Sequence, residues 1–179
     1  LSTRLLCEAH RRLMRGVRGA DKQPGEIRRS QNWIGGTRPG NARFVPPPPE
    51  DVPALMAQLD TWLHSGDALP PLVKAGLAHV QFETIHPFLD GNGRIGRLLI
   101  PLYFISHGLL EKPSLYLSDF FERHRASYYD ALMRVRIAND MVHWVRFFLT
   151  GVAETAERGK ATFQRILALR GEVEHALYG

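Results

Sequence analysis

HPFLDGNGRIGR, running from His86 to Arg97, gathers a histidine, a carboxylate, two glycines around an asparagine and two arginines into one short stretch. Pro87 fixes its own φ and disfavours the helical region for the residue before it. A helix arriving through HVQFETI therefore ends near Ile85, and His86 sits on a loop. The run RIGRLLIPLYFISHGLL from Arg94 is long, strongly apolar and closed by Gly108, which reads as a buried helix whose first turn follows Gly91-Asn92-Gly93. Amides at a helix start lack intrahelical partners and lie at the positive end of the helix dipole, and glycines there let phosphate oxygens approach the bare backbone. The loop thus suits a polyphosphate.

The residue types assign roles. An imidazole titrates near neutrality, so His86 can accept the proton of an attacking hydroxyl. Asp90, beside the phosphate-binding turn, can hold Mg²⁺ bridging two phosphates. Asn92 and the neighbouring N–H groups, from Gly91 and Gly93 on through Ile95 and Gly96, are placed to hold phosphate oxygens. Arg94 and Arg97 are three residues apart and so share one face of the first helical turn, where guanidinium forks grip phosphate. Phe88 reads as an anchor that buries its ring to pin the loop.

The stretch matches, position for position, HxFx[D/E]GNGRxxR, and on that signature the chain is identified as a member of the Fic family. His86, Phe88, Asp90, Gly91, Asn92, Gly93, Arg94 and Arg97 carry the match. PGEIRRSQNWIG, FVPPPP and FETIHPF also resemble bacterial Fic proteins, so the resemblance covers most of the chain. It implies a protein adenylyltransferase that moves AMP from ATP, with Mg²⁺, to a Ser, Thr or Tyr hydroxyl of a target protein and releases pyrophosphate. Arg97 then sets the γ-phosphate. The same resemblance puts Tyr128, Tyr129 and Leu132 of the YYxxL segment on the adenine and ribose side.

Three other readings stand beside this one. A Doc-like kinase replaces the first glycine of GNG with a bulkier residue, and Gly91 argues against it. Removal of AMP is a further family activity, tied to a regulatory glutamate. From a different class, the chain could be a non-catalytic regulator that binds nucleic acid or protein. The inhibitory pattern [S/T]xxxE[G/N] has no full match, since Thr150 and Glu154 have its spacing but Thr155 follows. An inhibitory glutamate helix is therefore expected outside these residues.

Around the signature, 179 residues with 44% hydrophobic content suit one core. The fold class read from the sequence is all-α, a Fic-type helical bundle with one short β-hairpin. Residues 1–159 form the catalytic domain, with the signature loop and helix at 86–107. Residues 160–179 form a C-terminal amphipathic helix leading to a winged-helix region beyond this chain. The first helix spans about Ser2 to Arg18. Asp51 caps a helix with Val52, Leu55, Met56, Leu59, Trp62 and Leu63 inward, and another covers about Leu72 to Phe82, with His79 as a hydrogen-bonded packing histidine. Ser118 caps the helix holding Tyr128 and Tyr129, and Asp140 begins the next. Between about 31 and 45, Gly35-Gly36-Thr37-Arg38-Pro39-Gly40 lies between Trp33-Ile34 and Phe44-Val45, which reads as a hairpin. In the family such a flap covers the site and pairs with an extended target segment, here through Ile34, Gly35, Gly36 and Thr37.

One cysteine, Cys7, excludes an internal disulfide and points to a reducing compartment; no apolar run reaches the ~18 residues that span a bilayer, so the cytoplasm is the expected location. Of the net charge of +5, residues 1–43 hold ten Lys or Arg against three acids. That stripe reads first as a solvated face. The expected partners are a hydroxyl-bearing protein, the chain itself included, and a second copy as a homodimer. Nucleic acid enters only through the winged-helix region.

Overall fold

A computed structural model describes residues 1–17 and 19–178. Seven α-helices carry these residues: α1 Thr3–Leu13, α2 Val52–Leu63, α3 Pro71–Ile85, α4 Asn92–Ser106, α5 Ser118–Arg123, α6 Arg125–Ala138 and α7 Met141–Tyr178. Helix α3 is central, with α4, α2, α7 and α6 against it. Phe82, Ile95, Leu99, Phe104, Trp144 and Phe148 fill the space between them. Helices α3 and α7 meet closely at Gly76, where a Cβ would come within 2.7 Å of the Phe148 ring; the Trp144 indole donates to the Gly76 carbonyl at 2.8 Å. The bare glycine lets α7 lie against α3, and burying the two rings stabilises that contact by several kcal/mol, at about 1.5–3 kcal/mol per large apolar side chain.

The helix starts follow local chemistry less closely than the sequence suggests. Asp51 occupies the N-cap position of α2 without a side-chain cap bond, and Pro53 in the first turn needs no donor there. Ser118 is the first residue of α5 rather than a cap, and a break at His124 separates α5 from α6. Asp140 does cap α7, accepting the His143 amide at 3.1 Å. Helix α1 stops at Leu13, short of the expected end near Arg18, which lies outside the described residues. The segment 160–178 is no separate element: it continues α7 unbroken, its Phe163, Ile166, Leu167 and Val173 exposed, and Gly179 lies outside the described residues.

The expected hairpin reduces to a single antiparallel bridge, Ile34 to Phe44, at a 2.9 Å hydrogen bond from Ile34 N to Phe44 O. The reason is local. Asn41 Oδ1 accepts the amides of Thr37 and Arg38, and its side chain thereby closes a 3₁₀ turn at Pro39–Asn41 where a strand ladder would need those donors. No helix among the described residues is long and apolar enough to cross a membrane.

Candidate active site

The site is the junction between the end of α3 and the start of α4. Helix α3 ends at Ile85, and His86 takes a left-handed conformation, φ 52° and ψ 61°, as its C-cap. His, Asn and Asp tolerate this region better than most non-glycine residues. Three side chains hold the turn. The buried Arg28 guanidinium donates to the carbonyls of His86 at 2.9 Å, Pro47 at 2.5 Å and Ser30 at 3.3 Å, while its amide donates to the Pro87 carbonyl at 2.9 Å. Asn32 Nδ2 donates to the Phe88 carbonyl at 2.9 Å. From α6, Arg136 Nη2 donates to the Glu83 carbonyl at 2.8 Å, and its guanidinium lies 4.1 Å from the centre of the Phe44 ring. Cations at the carbonyl end of a helix are favoured by its dipole.

The His86 ring is set by this frame. Its Nδ1 is buried and has no hydrogen-bond partner among the described residues. Burial, aided by the Arg136 and Arg28 guanidiniums, pushes its pKa down to about 4, against the pull of the Glu83 carbonyl and Asp90. The imidazole is therefore neutral at pH 7 and able to accept a proton.

Beyond it the loop is cross-braced. Asn92 Oδ1 accepts the Phe88 amide at 2.8 Å and Nδ2 donates to the Phe88 carbonyl at 2.7 Å. This corrects the expectation that the Asn92 side chain holds phosphate: both its polar atoms are spent inside the loop, and what it offers an anion is its backbone amide. Asn92→Ala strands a buried amide and is expected to cost about 1–3 kcal/mol. A thermal melt unchanged from wild type would contradict that brace.

His10, from α1, is the brace that sequence reasoning missed. It is fully buried, stacks on Phe88 at 3.9 Å, accepts the Gly25 amide at Nδ1 and so donates from Nε2 to the Asp90 carbonyl at 2.9 Å. Gly91, at φ 80°, is the N-cap of α4; a Cβ there would stand 2.9 Å from Met14 Sδ and 3.1 Å from His10 Nε2.

The start of α4 carries unpaired donors. Among the described residues no hydrogen bond takes the amides of Asn92 or Gly93, and Arg97 is paired with no carboxylate. Ile95 and Gly96 lie buried one turn further in, the Ile95 amide already bonded to the Gly91 carbonyl. Arg94 is 3.7 Å from Asp90 Oδ1, which also accepts the Gly91 amide. Asp90 Oδ2 makes no hydrogen bond among the described residues, and the bare backbone of Gly19 packs against it. One carboxylate, with phosphates and water completing the shell, is a donor set that Mg²⁺ accepts. No group of three His, Cys, Asp or Glu that could hold a metal occurs among the described residues.

Two cavities lie nearby, of which the smaller reaches Arg97 on α4. One of about 230 Å³ is lined by Arg97, Ser118, Arg125, Tyr128 and Tyr129; the other, about 530 Å³, lies between the flap and α6 and is lined by Ile34, Gly35, Arg43, Tyr129 and Met133. Tyr129 reaches both. Tyr128 is mostly interior, its hydroxyl donating to His79 Nε2 at 3.0 Å while His79 Nδ1 donates to the Gly96 carbonyl at 2.7 Å. Leu132 is buried and lines neither cavity. On the flap, the Thr37 amide is taken by Asn41, while the amides of Gly35 and Gly36 have no partner among the described residues.

A family model described as the Fic/DOC family matches residues 1–104, more than half of the chain. The chain belongs to that family. Over 172 residues it is 35% identical to the Protein adenylyltransferase Fic of Aedes aegypti, covering 95% of this chain and 30% of the mosquito protein. The crystal structure of a Fic family protein from Desulfovibrio desulfuricans G20 superposes with a TM-score of 0.76 at 31% identity, covering 89% of this chain and 47% of that one. Fic-1 from C. elegans superposes with a TM-score of 0.67 at 25% identity, covering 92% and 44%. The resemblance read in bacterial Fic proteins thus extends to insects and nematodes, and the chain spans about 30% of the length of the curated relatives it matches. The all-α Fic fold read from the sequence is the one found.

Proposed function

We propose that the chain is the catalytic portion of a Mg²⁺-dependent protein adenylyltransferase, moving AMP from ATP to a Ser, Thr or Tyr hydroxyl of a target protein. One observation supports this reading: a neutral imidazole stands beside the start of a helix whose first amides and Arg97 have no partner among the described residues. In the reaction, His86 Nε2 takes the hydroxyl proton as that oxygen bonds to the α-phosphorus. The bond from the α-phosphorus to the bridging oxygen breaks, and pyrophosphate leaves with the electron pair. The amides of Asn92 and Gly93, with Arg94 and Arg97, hold the phosphates and the charge that develops on them. Asp90 would hold Mg²⁺, whose charge neutralises the leaving pyrophosphate.

The larger cavity, with Tyr129 and the flap residue Ile34, is of a size and lining that suit the nucleoside. The unpartnered amides of Gly35 and Gly36 would pair with an extended target segment, placing its hydroxyl while reading little of its sequence. This reading places the chain itself in the cytoplasm.

Incubation with ATP labelled at the α- or at the γ-phosphate separates the readings. Retained α-label with no γ-label is the expected result. Retained γ-label would make the chain a kinase, and no retained label would leave a binding module. The kinase outcome is disfavoured at Gly91, where a bulkier residue would meet Met14 and His10 from a left-handed backbone.

A further inference from the structure

Glu83 is a buried acid that this reaction does not use. It lies on the last turn of α3 with 5% of its surface exposed, and its Oε1 is buried with no hydrogen-bond partner. A carboxyl group in that condition has to be neutral or find a cation. The space it fills is made by the signature glycines. A Cβ at Gly96 would collide with Oε1, and one at Gly93 would stand 3.9 Å from Oε1 and 3.2 Å from Arg97 Nη1. The space that a Gly93 Cβ would occupy thus borders both the carboxyl and the Arg97 guanidinium.

We propose that Glu83 is a positioning residue for Arg97: when ionised it draws the guanidinium inward and competes with the terminal phosphate of a bound nucleotide, so nucleotide binding takes up a proton at Glu83. This rests on the nucleotide reading of the site given above.

The surrounding groups single out Arg97 as the responder. From α6, Arg136 is held through Nη2 by the Glu83 backbone carbonyl and lies over the Phe44 ring, its Nε buried and unpartnered among the described residues, and the Tyr128 hydroxyl is committed to His79. On α3, burial keeps both His79 and the neighbouring His86 neutral at pH 7. Of the two guanidiniums that act on Glu83, Arg97, from α4, is the one whose side chain has no hydrogen bond or ion pair among the described residues. Burial pushes the Glu83 pKa up to about 7 against the opposing pull of Arg136 and Arg97, so both protonation states are populated near neutrality. In the structure the two side chains form no ion pair, the arrangement of a protonated Glu83 with Arg97 free for phosphate. A phosphate that takes Arg97 removes part of what favours the carboxylate, and the proton returns.

Two measurements test this. The ¹³C titration of the Glu83 carboxyl should move upward in Arg97→Met, by about three- to tenfold in proton affinity. An unmoved midpoint overturns the proposal, with or without any nucleotide. Mg-ATP affinity of the wild type should weaken about fivefold from about pH 6 to about pH 8.5 relative to Glu83→Gln, since a one-unit coupled shift corresponds to tenfold at the limit. Ionisation of the nucleotide itself is common to both proteins and cancels. Parallel pH profiles for the two proteins overturn the proposal. Both readouts are independent of turnover: a chain that couples Glu83 to Arg97 yet labels no protein would refute only the transferase reading.

Discussion

Replacing His86 with asparagine is expected to lower AMP transfer by about 10²–10⁴-fold, the usual worth of a positioned general base, while Mg-ATP affinity changes by no more than about threefold. Asparagine is the informative choice because residue 86 sits at φ 52°, which it tolerates. Alanine at that position adds a backbone cost of about 1–2 kcal/mol and mixes a folding defect with a chemical one. Initial rates with α-labelled ATP, measured beside equilibrium binding, separate the two. Transfer at the wild-type rate in His86→Asn would show that another group accepts the proton. The wild-type pH profile carries the same signature. With its pKa held down to about 4, the imidazole is competent throughout the neutral range, and the limb due to His86 appears as activity is lost on lowering pH toward 4. An acid limb centred near the ordinary histidine value would contradict the burial described for this ring.

Arg28→Met is expected to destabilise the fold by about 3–5 kcal/mol, the largest stability effect among single substitutions at the site. Arg28 is 1% exposed, and its guanidinium satisfies carbonyls of Ser30, Pro47 and His86. Each buried carbonyl left without a donor costs about 1–3 kcal/mol. For a domain of this size, 1 kcal/mol corresponds to about 2–4 °C, so the melting temperature should fall by about 10 °C. Lysine should not rescue, because one ammonium cannot span three carbonyls that the planar fork reaches together. Activity should fall further than stability alone accounts for, since the same bonds fix the left-handed turn that aims His86. A melting temperature within a couple of degrees of wild type, with activity kept, would show that the turn holds without Arg28.

Much of the site was legible beforehand because its residues are neighbours in the chain. Pro87 dictates that α3 stops at Ile85, and Gly91 with the apolar run after it dictates that α4 starts at Asn92; those two facts place His86 beside an anion-binding helix end. Composition and spacing likewise reveal the α2 stripe and the Asp140 cap, and the signature reveals the family.

What the sequence could not reveal are groups whose partners are remote in the chain and are backbone atoms with no side-chain signal. Arg28 bonds a carbonyl 58 positions away, Arg136 one 53 away and His10 one 80 away. Nothing in the residue type of His86, Glu83 or Asp90 announces such a donor. The side chain of Asn92 reads as a phosphate ligand until folding brings the Phe88 amide to it, and the flap reads as a hairpin until Asn41 takes its donors. Sequence by itself determined which chemistry stands at the mouth of α4, because local backbone rules suffice for that. Only the tertiary structure decided which polar groups remain free to perform it, because a buried polar group goes to whatever donor or acceptor packing brings within 3 Å, and packing is not local.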